Sequence, residues 1–324
     1  VKVLIYAHAF APSIGGVETY TMQLAQGLAG FGQVGAKEQR RHRDSDARHR
    51  NVQAYGEVTV TVATQTPGDG FDDSMLPFRV VREPRLRALW QLLNNADVVH
   101  LAGPVLLPLA LGLLQQKPIV IEHHGYQAVC PNGLLFYEPT KTTCPGHFMA
   151  RRYHECLCCN AVTMGWLKGV FVLLLTFLRR WLCKQVAINT PISHHVLKRL
   201  QLPRSQVVYY GVPTSLADMN SSKIHNLQSK IRGSQLAVKN PPTFAYVGRL
   251  VSEKGLPLLL ESARRLKDEG YVFHLEFIGE GPERPKLETI TDATGLRGDV
   301  QFTGFLQGEV LQKALEDVAA IVMP

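Results

Sequence analysis

The sequence lacks an apolar run long enough to cross a bilayer. The longest uncharged stretch of its most hydrophobic region, Gly169–Leu178, holds ten residues, against the ~20 of a spanning helix. A secretory leader is not evident either, because VKVLIYA is short and runs straight into His8 and a Pro/Gly turn. These features point to a cytoplasmic setting, in which cysteine clusters suggest metal or catalysis before disulfides. With 324 residues and only six cysteines the chain is not a disulfide-stapled miniprotein, and 19 % charged residues with 45 % hydrophobic ones exclude a wholly disordered chain. A dinucleotide fingerprint is missing as well. The first strand signal is followed by HAFAPSIGG, which offers no G-x-G-x-x-G.

What is present begins with size and charge. The 324 residues suggest two domains at ~150 residues each. The formal net charge of +8 favours solubility or an anionic partner. Residues 36–50, AKEQRRHRDSDARHR, carry six Lys/Arg against three Asp/Glu. They show no apolar period and read as a solvated insertion. A nucleic-acid arm is set aside, since no aromatics are interleaved and no nucleic-acid fold signature follows.

Short β-rich runs alternate with helical stretches along the chain. Strands are expected at VKVLIYA, VTVTVATQT, FRVVREP, VVHLAG, PIVIEHHG, VAINT and VVYYG. Between them lie helical patterns, such as Val17, Tyr20, Leu24 and Leu28 on one stripe. Residues 216–242 are polar, rich in Ser and Asn, and end in Pro-Pro, which reads as a linker. The alternation then resumes with TFAYVGRL, HLEFIGEG, VQFTGF and AAIVMP. The expected class is α/β with mostly parallel sheets. The expected domains are 1–215, a linker at 216–242, and 243–324.

Ligands of such sheets bind beyond the carboxyl ends of the strands. Gly15-Gly16 stand immediately before the first helix, where free N–H groups and the positive dipole end suit an oxyanion. A plain turn would look the same. Arg249 and Lys254 follow the strand of TFAYVGRL, five residues apart. They could neutralise a departing diphosphate without a metal; a solvated surface turn is the bland alternative.

Taken together, GGVET, the His123-His124 turn, YYGVP, GRLVSEKG, FIGEGPER and VQFTGF resemble, in order and spacing, family-four retaining glycosyltransferases of the GT-B fold. The resemblance covers nearly the whole chain apart from the odd basic insertion at 33–57. It implies two facing Rossmann-like domains, the second incomplete, with the acceptor on the first and a UDP-, GDP- or ADP-linked sugar on the second. It assigns Gly15, Gly16, Arg249 and Lys254 to the donor diphosphate, Gly279 and Gly281 to a nucleotide-side loop, and Gly304 to the turn near the base. Spacing back from Cys130-Pro131 selects His124 as the catalytic histidine, stabilising the transition state at the donor sugar. Gly125 and Gln127 replace the family's usual acid and aromatic. The family's pair of glutamates would follow Pro324. The implied reaction is metal-independent transfer of a sugar to a glycan or lipid-linked acceptor. An inactive nucleotide-binding fragment and a nucleotide-sugar epimerase of the same fold remain as rivals.

Two features stand outside that scheme. Cys130, Cys144, Cys156 and Cys159, in a cysteine-rich loop spanning 130–159, have the donor types for a structural zinc site, with reduced, partly buried thiols as the alternative. Residues 161–183 read as one helix, apolar on nearly all sides and rimmed by Arg151, Arg152, Lys168, Arg179, Arg180 and Lys184. Such a helix is either buried or lies against a membrane surface, which would make the protein peripheral on the cytoplasmic face.

Overall fold

The computed structural model describes residues 1–13, 15–41, 58–210 and 241–324. The chain divides into two compact units, Val1–Val212 and Pro213–Pro324. The expected linker at 216–242 lies outside the described residues except for 241 and 242, as does the 42–57 part of the basic insertion.

The first unit opens with β1 (Lys2–Ala7), α1 (Gly16–Arg41), β2 (Thr59–Thr64), β3 (Arg79–Arg82), α2 (Leu86–Asn95), β4 (Val98–Ala102) and α3 (Leu106–Leu114). It continues with β5 (Ile119–His123), a small hairpin of β6 (Phe136–Tyr137) and β7 (Thr142–Thr143), α4 (Tyr153–Met164), α5 (Trp166–Cys183), β8 (Ile188–Pro191) and α6 (His194–Leu200). Six strands form one sheet in the order β3-β2-β1-β4-β5-β8, and every pair is parallel. Adjacent residues of β1 bury against opposite layers. Ile5 packs with Ala25, Ala29 and Phe10 on one side, while Leu4 and Tyr6 join Leu89, Leu93 and Leu109 on the other. A sheet covered on both faces needs continuous apolar strands, which VKVLIYA supplies. The order reverses between β1 and β4, so the crevice beyond their carboxyl ends is the natural ligand position.

The second unit holds β9 (Thr243–Val247), α7 (Leu256–Asp268), β10 (His274–Ile278), α8 (Arg284–Ala293), β11 (Val300–Gly304), α9 (Gly308–Glu316) and β12 (Val318–Ile321). Its sheet runs β11-β10-β9-β12, again all parallel. The core gathers Tyr246, Leu275 and Phe277 from the sheet with Leu256, Leu260, Ala263 and Leu287 from the helices. Here the order reverses between β9 and β12, which places the loop after β9 at the switch point.

Two sequence expectations are corrected. VVYYG adds no strand to the sheet. Within it Val208 N–H bonds Pro191 O (3.1 Å), and just before it Asn189 and Ser205 form an isolated bridge flanked by Asn189 N–H to Arg204 O (2.8 Å) and Gln206 N–H to Asn189 O (2.9 Å). Pro191 has no N–H to return, so the ladder stops. The apolar helix expected at 161–183 is two helices. Gly165, at φ 80°, ends α4 and starts α5; a glycine in the left-handed region is a common helix stop.

Candidate functional site

In the first unit, the loop after β1 is anchored by Phe10, whose buried ring meets Phe78 and whose N–H bonds Thr66 Oγ1 at 2.9 Å. Gly15 O accepts from Thr19 N–H at 3.0 Å, closing the first turn of α1. A Cβ on Gly15 would collide with the Glu18 carboxylate folded back over it, whereas a Cβ on Gly16 would meet nothing within 4 Å. The Glu18 carboxylate is the far end of a flexible side chain and can turn aside, so sterics do not fix Gly15, and Gly16 leaves the helix start bare. The early N–H groups of α1 are free for an anion in the way of any helix N-terminus.

The end of β5 separates its two histidines. His123 is fully buried, and its Nε2 lies 2.8 Å from Asn189 Oδ1. The Asn189 Nδ2 group donates to Cys183 O and Pro203 O, so Oδ1 must be the acceptor and His123 Nε2 the donor. Burial pushes the His123 imidazole down to about 4, against a smaller upward effect of the Asn189 bond. It is a core histidine, bonded at Nε2, while its Nδ1 is buried without a partner. His124 reaches a different environment. Its Nδ1 bonds the Tyr210 hydroxyl and lies 3.8 Å from Glu122 Oε1, while its Nε2 is buried without a partner. Burial lowers its pKa, partly offset by the Glu122 carboxylate. Glu122 is 4 % exposed and is also approached by His100 Nε2 at 3.3 Å. Tyr20 of α1 stacks on Tyr210 with centroids 4.1 Å apart. Sequence reading missed Glu122, His100, Tyr20 and Tyr210; the one available signal was a carboxylate inside an otherwise apolar strand.

In the second unit, glycines end three neighbouring strands. Gly248 N–H bonds Ile278 O at 2.9 Å and Gly279 N–H bonds Gly304 O at 2.8 Å, carrying the ladder past the strands. All three take positive φ: 155°, 147° and 80°. A Cβ on Gly279 would strike the Gly248 carbonyl, and one on Gly281 would strike the carbonyl of Leu250. Those two glycines are thus demanded by loop packing, whatever binds nearby. Gly304 sits beside Glu280, whose Oε1 would be 3.0 Å from an added Cβ and which is paired with Arg284.

Leu250 pins the loop that carries Arg249 and Lys254. Its side chain is buried, its N–H bonds Glu280 O at 2.9 Å, and its carbonyl accepts from Glu283 N–H at 3.0 Å. With that anchor, Arg249 projects outward, 76 % exposed and 3.9 Å from Glu253. Lys254 ends a 3-10 turn, Ser252–Lys254, and is exposed. Arg249, Lys254, Gly279, Gly281 and Gly304 therefore share the carboxyl end of the second sheet. His124, Gly15 and Gly16 share that of the first.

The zinc site expected of Cys130, Cys144, Cys156 and Cys159 is not assembled. Among the described residues, no three His, Cys, Asp or Glu side chains are grouped to hold an ion. The thiols lie near enough to act on one another electrostatically, and Cys130 and Cys159 share the Asn132 amide, yet they do not converge on one point. Cys130 donates to Asn132 Oδ1 at 2.9 Å, Cys159 turns to Phe136 O at 3.5 Å, and Cys156 packs with Leu173 and Leu182 in the main core. Cys156 and Cys159 stand on the helix α4, not on the tight turn of a zinc knuckle. Burial raises the thiols of Cys130, Cys156 and Cys159, that of Cys156 to about 12.

Helix α5 is apolar all round but buried on one side only. Leu173, Thr176, Leu182 and Cys183 face inward, while Val170, Phe171, Leu174, Phe177, Leu178 and Trp181 are exposed. Arg179 and Arg180 point back into the protein as tethers, Arg179 to Pro104 O and Gln127 O and Arg180 to Leu200 O. Among the described residues, no helix is long and apolar enough to cross a membrane.

Comparison with known proteins bears on all of this. The family model for glycosyl transferases group 1 matches residues 228–324. The chain is 30 % identical over 131 residues to the alpha-D-kanosaminyltransferase of Streptomyces kanamyceticus, covering 39 % of this chain and 32 % of that protein. It is 26 % identical over 157 residues to the 2-deoxystreptamine glucosyltransferase of the same organism, covering 47 % and 40 %. The matches thus span well under half the length of these relatives. Among solved structures, Anabaena HepE in complex with UDP-glucose aligns with a TM-score of 0.59 at 13 % identity, over 99 % of this chain and 73 % of that one. WaaG, a glycosyltransferase involved in lipopolysaccharide biosynthesis, aligns at 0.56 and 14 %, over 99 % and 74 %. At such identities the likeness speaks to fold, and the fold is the GT-B type, α/β with parallel sheets. Residues 228–324, in the second unit, thus match the group 1 glycosyl transferases, and glycosyltransferases stand among the proteins this chain is similar to.

Proposed function

We propose that the protein transfers a sugar, with retention and without a catalytic metal, from a nucleoside-diphosphate sugar to a glycan or lipid-linked hydroxyl. The observation that carries this reading is the loop after β9. It stands at the switch point of the second sheet, fixed by buried Leu250 and presenting two exposed cations beside three glycine-ended strands. Backbone that can be approached closely suits a nucleotide, and cations at its edge suit a diphosphate leaving group. As the glycosidic bond breaks, charge builds on the β-phosphate. Arg249 and Lys254 would neutralise it without a proton transfer. Gly15-Gly16 at the start of α1 would meet phosphate oxygens through backbone N–H groups. His124 would hydrogen-bond the donor sugar rather than attack it. The complex of HepE with UDP-glucose and the sugar-transferring relatives support a nucleotide-sugar donor. Calorimetry with UDP, GDP and ADP, followed by product analysis with and without acceptor in the presence of a chelator, tests the reading. Product formed without acceptor would mean epimerisation, and nucleotide binding without any turnover would mean a binding protein.

The acceptor side of the proposal includes a membrane surface. The exposed stripe of α5 repeats at helical spacing and lies near Lys168, Lys184, Arg151 and Arg152, all exposed. A groove of about 530 Å3 beside it is lined by Phe177 and Trp181 together with Arg151, Arg180 and Lys184. Aromatic side chains among cations match the interface of an anionic bilayer. Co-sedimentation with phosphatidylglycerol-containing vesicles, absent with phosphatidylcholine alone and lost in Phe171→Ser/Leu174→Ser, is the expected result. Concentration-dependent dimerisation through α5, with no vesicle binding, would reassign the face to a second copy.

A further inference from the structure

The groove beside α5 is built differently from the exposed stripe that leads to it. Phe148, itself buried, packs its ring against Tyr153 and Phe177 at centroid distances of 5.7 and 4.9 Å, and Tyr153 meets Phe177 at 5.0 Å. Trp181, one helical turn along α5 from Phe177, lines the groove as well. Three cations share that lining, Arg151, Arg180 and Lys184, and no acidic residue does.

The protein does not spend these charges internally. At the end of α5, Lys184 N–H takes the carbonyls of Arg180 and Trp181, Gln185 N–H that of Leu182, and Asn189 Nδ2 that of Cys183. Backbone and amide donors thus satisfy the helix end, and the Lys184 ammonium is not needed there. Arg180 sends Nη1 to Leu200 O at 2.7 Å and Nη2 to Gln201 O at 3.3 Å, which fixes the guanidinium and leaves its other N–H groups unspent. Among the described residues, none of the three cations makes an ion pair. Arg180 is also half-buried, and burial lowers its pKa. An anion beside it would offset a charge that the fold leaves uncompensated.

Phosphate suits this set, since it accepts a forked guanidinium and a point charge together. The rest of the ligand follows from continuity. Phe177 and Trp181 end the exposed apolar row that begins at Val170, a track of about 16 Å at 1.5 Å per residue. We infer that the groove seats one lipid with a terminal phosphate, its head on Arg151, Arg180 and Lys184 and its chain along α5 toward Val170. A nucleotide or a free phosphate would leave the track empty, and a choline head would bring a further cation to the three already there. The inference rests on the membrane-facing reading of α5 for the source of the lipid. It adds to that reading a saturable site for a single molecule.

The test is calorimetry of the whole chain with dihexanoyl phosphatidic acid, kept below its micelle concentration so that no bilayer is present. The expected result is saturable binding of one lipid per chain, with a change in tryptophan fluorescence that disappears in Trp181→Phe. Dihexanoyl phosphatidylcholine and inorganic phosphate should each bind at least about tenfold more weakly, the first lacking the charge match and the second the chain. Arg151→Gln/Lys184→Gln should weaken phosphatidic acid binding at least about tenfold, the effect of one charge-assisted bond, with the melting temperature unchanged. Equal affinity for the two lipids, inorganic phosphate binding as tightly as phosphatidic acid, or a double variant that binds like wild type overturns the inference. Should the double variant fail to fold, the ligand series and Trp181→Phe still decide it. Saturable binding of the short lipid without vesicle co-sedimentation would sink the membrane reading and leave this site standing; vesicle binding without short-lipid binding would do the reverse.

Discussion

Removing the Arg249 guanidinium should separate binding from stability. The side chain is 76 % exposed and its nearest acid, Glu253, is 3.9 Å away. An exposed pair of that kind contributes about 0–1 kcal/mol to folding, so Arg249→Ala should leave the melting temperature almost unchanged. In a complex, the same guanidinium would make one or two charge-assisted bonds to phosphate oxygens, each about 1.5–3 kcal/mol. At about 1.4 kcal/mol per decade, UDP affinity should fall roughly 10- to 100-fold. Uridine, which lacks the phosphates, should lose less than about twofold by the same arithmetic. Calorimetry of UDP and uridine on wild type and variant, at two salt concentrations, makes the comparison. The loss for UDP should shrink at high salt, because Arg249 is solvent-exposed and its field is screened. Glu253→Gln adds a control of opposite sign, since it frees Arg249 from its internal partner and should leave UDP binding equal or tighter. Equal losses for UDP and uridine would refute the phosphate assignment. So would a large drop in melting temperature, which would mean that Arg249 holds the loop rather than the ligand.

Acid should weaken the first unit through His123. Its folded pKa of about 4 lies below the ordinary 6.5, so the unfolded chain binds the extra proton and stability falls as pH drops from about 6.5 to about 4. The gap corresponds to about 3 kcal/mol, readable by urea unfolding at pH 7 and pH 4, and His123→Phe should flatten the slope. Asn189→Ala should cost about 2–4 kcal/mol in the same assay, because it orphans His123 Nε2 and the carbonyls of Cys183 and Pro203. Gly279→Ala should destabilise the second unit by at least about 2 kcal/mol, since the new Cβ meets the Gly248 carbonyl at a φ unsuited to L-residues; a melt unaltered by the substitution would contradict the loop packing. Thiol labelling at pH 8 with mass analysis should find Cys158 first among the cysteines, because it is only half-buried. Cys156 and Cys183, both pushed up to about 12, should react last.

The amino-acid pattern by itself determined the class of the fold and most of its elements. Continuous apolar runs bounded by turn signals, such as VKVLIYA, read as strands covered on both faces, and helical spacing between them favours parallel crossovers. It also located the loops after β1 and β9, because glycine and cation at a strand's end are local signals. Tertiary structure decided what depends on contact between distant segments. Which of His123 and His124 is bonded within the core and which meets Tyr210 beside Glu122 was settled by Asn189 and Tyr210, 66 and 86 residues away. Gly165 in the left-handed region divided the apolar helix, and Pro191 kept VVYYG out of the sheet. The four cysteines have the right donor chemistry for zinc and lie near one another, yet among the described residues they form no group that could hold an ion. Periodicity records which face a residue shows. Only packing records what meets it there.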